Sequence, residues 1–223
     1  MLETVNRPWI SINLAISADG RIAQNPGSPS GWTSPVDHRR LLDLRRGIDA
    51  LLVGRATLEA DRMTLTVPDQ EIQPLRCIAS RSGILDPQHP IFSRPGGPIH
   101  LLSEKPDPEI PPPPAVIRHH GNLTHFLENL TAHHSVRTLH CEGGGQLIRS
   151  LAELDAIDEI HLTFAGHTLF GGPQPVTATG PIGNFLEKST HFQLTHFAPN
   201  SETAECYLTY RRSEITTSTD RAQ

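Results

Sequence analysis

Leu139-His140-Cys141-Glu142-Gly143-Gly144-Gly145-Gln146-Leu147-Ile148 is the stretch from which the fold can be read. The residues from Val136 to Cys141 suit a strand, which Glu142 ends. Three glycines then lead straight into a helix from Gln146 to Leu154, with Leu147, Ile148, Leu151 and Leu154 on its inward face. In open α/β sheets, ligands bind beyond the carboxyl ends of the strands. Glycine amides at such a junction can approach a diphosphate closely, and the helix N-terminus adds positive potential. A tight turn with positive φ would account for one glycine. Three in succession exceed that need and favour an anion. The spacing is not GxGxxG, so the ordinary Rossmann fingerprint is not supported.

Strands and helices alternate on either side of this junction. From Trp9 to Ser17 the even positions Ile10, Ile12, Leu14 and Ile16 are apolar while Ser11 and Asn13 are not, which predicts a strand. Ser34-Pro35 reads as an N-cap followed by proline in the first turn, opening an amphipathic helix with Leu41, Leu42 and Leu44 on one side and arginines beside them. Ala50 to Val53 predicts a short strand ending at Gly54, and Thr57 to Arg62 a short helix. Further strands are expected over Leu75 to Ala79, Ile99 to Ser103, Ala115 to Arg118 and Glu159 to Phe164. Asn122 caps another helix, whose Leu123, Phe126, Leu127 and Leu130 share a face. His191 to Phe197 and Glu205 to Tyr210 predict an antiparallel pair. The loop from Asn25 to Ser30 and the segment from Lys105 to Pro114, with six prolines, read as irregular connectors. The pattern predicts one α/β domain with a mostly parallel sheet and antiparallel edges.

Composition narrows the partners. The chain has 223 residues with 19 basic and 24 acidic groups, a formal charge of -5 that argues against a polyanion or an anionic membrane surface. No run approaches the length of a membrane span, and the start lacks a signal-peptide pattern. Cys77, Cys141 and Cys206 are widely separated, without a CxxC, which suits a reducing, cytoplasmic setting and no structural zinc. Only Lys105 and Lys188 are lysine, so the basic set is almost all arginine, the residue whose planar fork suits phosphate. His119, His120, His125, His133 and His134 surround one predicted helix but lack a metal-binding spacing, so they are expected on the surface with no metal.

Two further strand ends carry anion-binding groups. At Leu52-Val-Gly-Arg-Ala-Thr57, Gly54 is followed by Arg55 and Thr57, which suits either an anion or a capped helix with a solvated arginine. After the strand holding Cys77, Ser80, Arg81 and Ser82 suit a phosphate monoester, such as the 2′-phosphate that distinguishes NADPH from NADH.

Ser17-Ala-Asp-Gly-Arg21, Ser30-Gly-Trp32, Val53-Gly-Arg-Ala-Thr57 with Asp61 and Leu65-Thr-Val67, Glu142-Gly-Gly-Gly145 and Ala156-Ile-Asp-Glu159 occur in one order. That pattern resembles the RibD C-terminal reductase domain of riboflavin biosynthesis, a relative of dihydrofolate reductase. The resemblance covers about residues 7–212 and leaves 213–223 as a polar tail expected to be disordered. It implies a dihydrofolate-reductase-like α/β fold, with a mostly parallel central sheet, helices on both faces and a C-terminal antiparallel hairpin. It also implies a homodimer that uses NADPH to reduce the ribosyl group of 5-amino-6-(5-phosphoribosylamino)uracil to ribityl.

Carried across by position, the resemblance implies NADPH contacts at Thr57, Asp61, Ser80 and from Gly144 through Ser150, including Gly145, Gln146 and Leu147, with Ile16 and Trp32 nearby. Arg55, Arg81 and Gly143 belong to the same group from the junctions themselves. Substrate contacts are implied at Ser30, Arg45, Leu65 and Glu142. Asp19 lies in the turn beside the chemistry, where it either takes part or caps its own loop, and Glu142 is the candidate for proton handling near the sugar.

The sequence departs from the family where a substrate phosphate is held. Pro68 stands where many members have arginine, and Asn13 where a lysine is frequent. Arg39, Arg45 and Arg62 are the candidates to compensate; otherwise the substrate lacks the phosphate. The zinc deaminase signature of an H-x-E with a later P-C-x-x-C does not occur, so deamination is expected on another chain. The alternatives are the same fold and NADPH with a pterin-like or non-phosphorylated substrate, or an idle NADPH-binding relative.

Overall fold

β1 (Trp9–Ser17) shows what period-two alternation does in this chain. Ile10, Ile12 and Leu14 are buried on one face of a nine-stranded sheet, and Ser11 and Ser17 are buried on the other. The structure, a computed structural model, describes residues 6–23, 31–105, 116–168 and 190–213. After β1 come α1 (Pro35–Arg45), β2 (Ala50–Gly54), α2 (Arg55–Asp61), β3 (Leu75–Ser80), β4 (Ile99–Ser103), β5 (Val116–His120) and α3 (Leu123–His134). They are followed by β6 (Thr138–Cys141), α4 (Gly145–Glu153), β7 (Glu159–Ala165), β8 (Phe192–Asn200) and β9 (Glu205–Arg212). The strand order is β5-β4-β3-β2-β6-β1-β7-β9-β8. The strands from β5 to β7 run parallel, while β9 and β8 are antiparallel to their neighbours. The expected mixed sheet and terminal hairpin are both present. The Asn25–Ser30 loop, prolines 106–114 and all of the tail beyond Ser213 lie outside the described residues.

Helices cover both faces. On one, Ile10, Ile12, Leu52, Cys77, Leu139 and Cys141 pack against Phe126, Leu127 and Leu130 of α3 and Leu147, Ile148 and Leu151 of α4. On the other, Leu51, Val53, Ile78 and Leu101 pack against Leu58 of α2, with Leu65 and Ile91. Helix ends follow the local chemistry. Ser34 Oγ accepts from Val36 N–H and Asp37 N–H at the start of α1, and Asn122 Oδ1 accepts from His125 N–H at the start of α3. α2 begins at Arg55, two residues before the predicted start, because the backbone turns helical directly after Gly54.

α1 corrects the expectation of an apolar stripe. Its buried residues are Asp37 and Arg45, while Leu41, Leu42 and Leu44 are half-buried. The reason lies in the strands beneath it. Thr163 Oγ1 donates to Asp37 Oδ1 at 2.5 Å, and Arg40 Nη1 donates to Asn13 Oδ1 at 3.3 Å. The polar positions of β1 and β7 therefore face a polar helix rather than water. Glu205 of β9 ties the start of this helix down, accepting from Ser34 N–H at 2.8 Å, from Ser34 Oγ at 2.5 Å and from Tyr207 OH at 2.6 Å. No described helix is long and apolar enough to cross a membrane.

His140 of β6 belongs to the same polar layer. Its ring is fully buried, and its Nδ1 lies 2.7 Å from Ser11 Oγ. Burial, reinforced by His161, Arg45 and Arg40, pushes its pKa from the usual 6.5 down to about 3. Below pH 6.5 the unfolded chain takes up a proton that the folded chain refuses until about pH 3. Stability contributed by the neutral ring is complete above pH 6.5 and is lost as pH falls toward 3. Urea melts across pH 7 to 4 should show unfolding free energy falling with acid, this residue adding up to about 1.4 kcal/mol per pH unit. His140→Asn should flatten that dependence; an unchanged slope would contradict the assignment.

Candidate functional site

The loops that follow β1, β2, β3, β6 and β7 all leave the same edge of the sheet, because these strands run parallel. β6 inserts between β2 and β1, so the order reverses here, which is where α/β sheets open a crevice. The backbone closes this corner tightly. Glu142 N–H donates to Leu52 O at 2.9 Å, and Gly54 N–H donates to Gly143 O at 3.2 Å.

Gly143 and Gly144 have φ of 100° and 95°, a region that side chains rarely enter. A Cβ on Gly144 would meet Thr57 Oγ1 at 3.2 Å and Gly54 Cα at 3.7 Å. Gly144 caps α4 without a side-chain hydrogen bond, and Ile148 N–H makes the first intrahelical bond, to Gly144 O at 3.0 Å. The helix thus supplies no acceptor to the amides of Gly145, Gln146 and Leu147. Gly144 and Gly145 are half-buried and Gln146 is exposed, so this end opens to solvent.

The third junction reaches the same place. Arg81 Nη2 donates to Gln146 Oε1 at 3.1 Å across 65 residues of sequence. Ser80 is buried and its Oγ accepts from Gly83 N–H at 3.0 Å, 3.4 Å from Ser82 Oγ. A hydroxyl pair and a guanidinium therefore stand beside the first turn of α4. Arg55 pairs instead with Glu59 one turn along α2, at 2.8 Å, and Asp61 ends that helix half-buried.

Below the glycines lies a buried ion pair. Arg45 Nε donates to Glu142 Oε1 at 2.5 Å and Arg45 Nη2 to Glu142 Oε2 at 2.6 Å, with the side chains 9% and 2% exposed. Arg45 Nη1 also donates to Thr66 O at 3.3 Å. Leu65, fully buried with φ of 54°, anchors that segment in the second core. Arg45, Leu65 and Glu142 are thus gathered at one point, and the guanidinium is occupied by a carboxylate of the same chain. Ser30 lies outside the described residues.

The far wall is built by the ends of β1 and β7. Ser17 Oγ donates to Asp19 Oδ1 at 2.6 Å and accepts from Arg21 N–H at 3.0 Å, so Asp19 braces its own turn. Ala18 N–H donates to His167 O at 2.8 Å, and the His167 ring stacks on Trp32 with centroids 5.9 Å apart. The buried Trp32 Nε1 has no acceptor among the described residues. Ile16 is half-buried against the first core.

Sequence reasoning missed two clusters. Arg40, rather than Arg39, Arg45 or Arg62, is the arginine that reaches Asn13; Arg39 and Arg62 are exposed. The only hint was the polar alternation of β1. The surface reading of the histidines also fails for His119 and His134, which are half-buried around the buried His100. Burial pushes the His100 pKa down to about 4, helped by His134 and His119, and lowers that of His119 as well. Cys141 is a core residue, as expected, with burial raising its thiol pKa to about 12. A hollow of about 470 Å³ beyond the carboxyl ends of β4 and β5, between the start of α3 and the end of α4, is lined by Glu104, Asn122, Thr124, Ser150 and Glu153.

The sheet order and this crevice define a dihydrofolate-reductase-like α/β protein. The chain belongs to the RibD C-terminal domain family, whose model matches residues 8–203. It is 25% identical over 207 residues to the riboflavin biosynthesis protein RibD of Chlamydia pneumoniae, covering 86% of this chain and 54% of that protein. It is 27% identical over 200 residues to the 2,5-diamino-6-ribosylamino-4(3H)-pyrimidinone 5′-phosphate reductase of Archaeoglobus fulgidus, covering 82% and 90% of the two chains. The chain spans about half the length of the RibD relatives it matches. In fold it is similar to the deaminase/5-amino-6-(5-phosphoribosylamino)uracil reductase of Thermotoga maritima, with a TM-score of 0.75 at 20% identity over 93% of this chain and 57% of that one. It is also similar to dihydrofolate reductase of Enterococcus faecalis complexed with NADP(H), with a TM-score of 0.55 at 18% identity over 92% and 97%.

The ion pair makes a direct prediction. Removing either partner strands a buried charge, so Arg45→Ala and Glu142→Ala should each cost about 3 kcal/mol of stability. The double variant should lose clearly less than the sum, as read by denaturant melts. Additive losses would show that the two side chains do not depend on each other.

Proposed function

We propose that residues 7–212 form an NADPH-dependent reductase that converts the ribosylamino group of a pyrimidine 5′-phosphate to a ribitylamino group. The substrate in this reading is 5-amino-6-(5-phosphoribosylamino)uracil. The observation that carries it is the convergence of the three strand ends on the first turn of α4: Gly54 and Thr57 against Gly143 and Gly144, and Arg81 on Gln146. The residues fit the cofactor, because a Cβ would fill the cradle at Gly144 and the groups around it are amides, hydroxyls and a guanidinium, all suited to phosphate oxygens.

When bound, NADPH would supply the hydride that reduces C1′ of the ring-opened, imine-like sugar, with a proton from solvent completing the amine at nitrogen and NADP⁺ left behind. The chain holds and orients the two reactants. Amides from Gly143 to Leu147 and the Thr57 hydroxyl hold the diphosphate, and Arg81 with Ser80 and Ser82 holds the 2′-phosphate. Trp32 and Ile16 border the nicotinamide end, with Asp61 and Arg55 at the rim. Glu142 and Asp19 border the reacting sugar. Both Glu142 oxygens are taken by Arg45, so Glu142 fixes the junction as a carboxylate. Leu65 and Ser30 complete the substrate wall in this reading.

Arg40 provides the cation beside Asn13 that offsets the family difference at that strand. We assign a cytoplasmic location to the protein. A homodimer agrees with the exposed Phe164, Leu194 and Phe197 on β7 and β8.

The test follows absorbance at 340 nm with NADPH and either the 5′-phosphorylated substrate or its dephosphorylated form. Turnover with the phosphorylated compound is expected, with kcat/KM at least tenfold lower for NADH, and Arg81→Ala should lose about tenfold in NADPH preference. Turnover of only the dephosphorylated compound would replace the substrate, and tight NADPH binding with neither consumed would mark an idle relative.

A further inference from the structure

β4 and β5 carry His100 and His119 on one face of the sheet, since His119 is in register with Leu102 and His100 lies two residues before Leu102. α3 crosses that face, and its last residue, His134, comes down onto both rings. His100 Nδ1 lies 2.9 Å from His119 Nε2. The His134 ring meets His100 edge-on with centroids 4.4 Å apart and His119 at 5.9 Å. One ring nitrogen from each of the three lies within 4.8 Å of the others. His100 is 1% exposed, and its Nε2 has no hydrogen-bond partner among the described residues. Phe126 packs on the His119 ring at 5.0 Å and sets its orientation.

We propose that His100, His119 and His134 form a three-histidine site for a divalent transition metal of the zinc(II) type, tying the edge strand β5 to α3. The geometry requires little movement. Two imidazole nitrogens bound tetrahedrally to zinc at 2.0–2.1 Å sit roughly 3.3 Å apart, so His100 and His119 separate by a few tenths of an ångström and exchange their mutual hydrogen bond for two metal bonds. His134, half-buried at a helix end, closes the remaining distance by side-chain rotation. His119 and His134 reach solvent, so an ion has an entry path and keeps a water as fourth ligand. Three nitrogen ligands select zinc, copper or nickel over calcium or magnesium, which prefer oxygen.

The site lies away from the crevice. β5 is the outermost strand and β4 the next, so two strands, β3 and β2, separate the histidines from β6 and its glycine run. The metal therefore acts as a clamp on the margin of the sheet and takes no part in reduction. Among the described residues β5 pairs on one side only and its Ile117 is exposed, so a clamp there would hold the margin of the sheet.

The experiment uses tag-free protein stripped with chelator and titrated with zinc(II) alone, then with cobalt(II) as a spectroscopic probe. One equivalent of zinc should bind with a Kd in the micromolar range or tighter and raise Tm by several degrees. Cobalt(II) should give the visible absorption of a four-coordinate nitrogen site. His134→Ala and His119→Gln should each weaken zinc binding at least tenfold and abolish the cobalt signal, while NADPH binding is unchanged. No stabilisation by zinc, or stabilisation that survives in both variants, overturns the proposal. Because zinc affinity and NADPH affinity are read separately, failure of one leaves the other reading intact.

Discussion

The fork of Arg45 on Glu142 is the interaction around which this crevice is arranged. It joins the end of α1, the segment carrying Thr66 and the first residue after β6, three pieces that no local sequence signal connects. Desolvating a guanidinium and a carboxylate together costs more than most neutral contacts, and only two parallel, short, charge-assisted bonds offset that. Once the pair is formed, Glu142 cannot swing, and the glycines that follow start from a fixed point. The backbone bonds from Glu142 to Leu52 and from Gly54 to Gly143 complete the corner. A rigid corner of this kind keeps the amides of α4 aimed at one position, the preorganisation that anion binding needs.

Around that corner the protein uses two different kinds of interior. α3 and α4 lie on a mainly apolar sheet face, interrupted under the end of α3 by His100 and His119. α1 lies on a face made of Ser11, Asn13, His140 and Thr163, and it answers with Asp37, Arg40 and Arg45. Every such contact is directional, so α1 has little freedom to slide. An apolar helix in the same place would bind the sheet well but leave the position of Arg45 loosely determined. The polar layer is thus part of how the crevice is positioned, and its neutral His140 makes it sensitive to acid.

Much of this was legible in the residues. Alternation in β1, the Ser34-Pro35 start of α1, the Asn122 cap and the glycine run each state a local preference that the fold obeys. That the three junctions at Gly54, Ser80 and Gly143 share one edge was also readable, because strand ends in a parallel sheet converge there whatever the details. Pairing was not readable. Arg45 and Glu142 are 97 residues apart, Arg40 and Thr163 are 123 apart, and Arg81 meets Gln146 across 65. Nothing in the spacing of arginines distinguishes one that faces solvent from one that fills a polar interface, so the pattern of α1 predicts leucines inward and arginines outward, whereas Arg45 is buried and Arg40 half-buried. The histidines failed for the same reason: His100 is on another strand from the cluster that drew attention.

The central claim is that the Gly143–Gly145 junction holds a dinucleotide diphosphate, and Gly144→Ala tests it most directly. The substitution adds one methyl group, 3.2 Å from Thr57 Oγ1, at a φ of 95°, inside the proposed cradle. The measurement is the NADPH dissociation constant, from quenching of intrinsic tryptophan fluorescence, with circular dichroism confirming that the variant is folded. A folded variant whose affinity is at least tenfold weaker than that of the native chain is the predicted result. Equal affinities in the two folded proteins would contradict it.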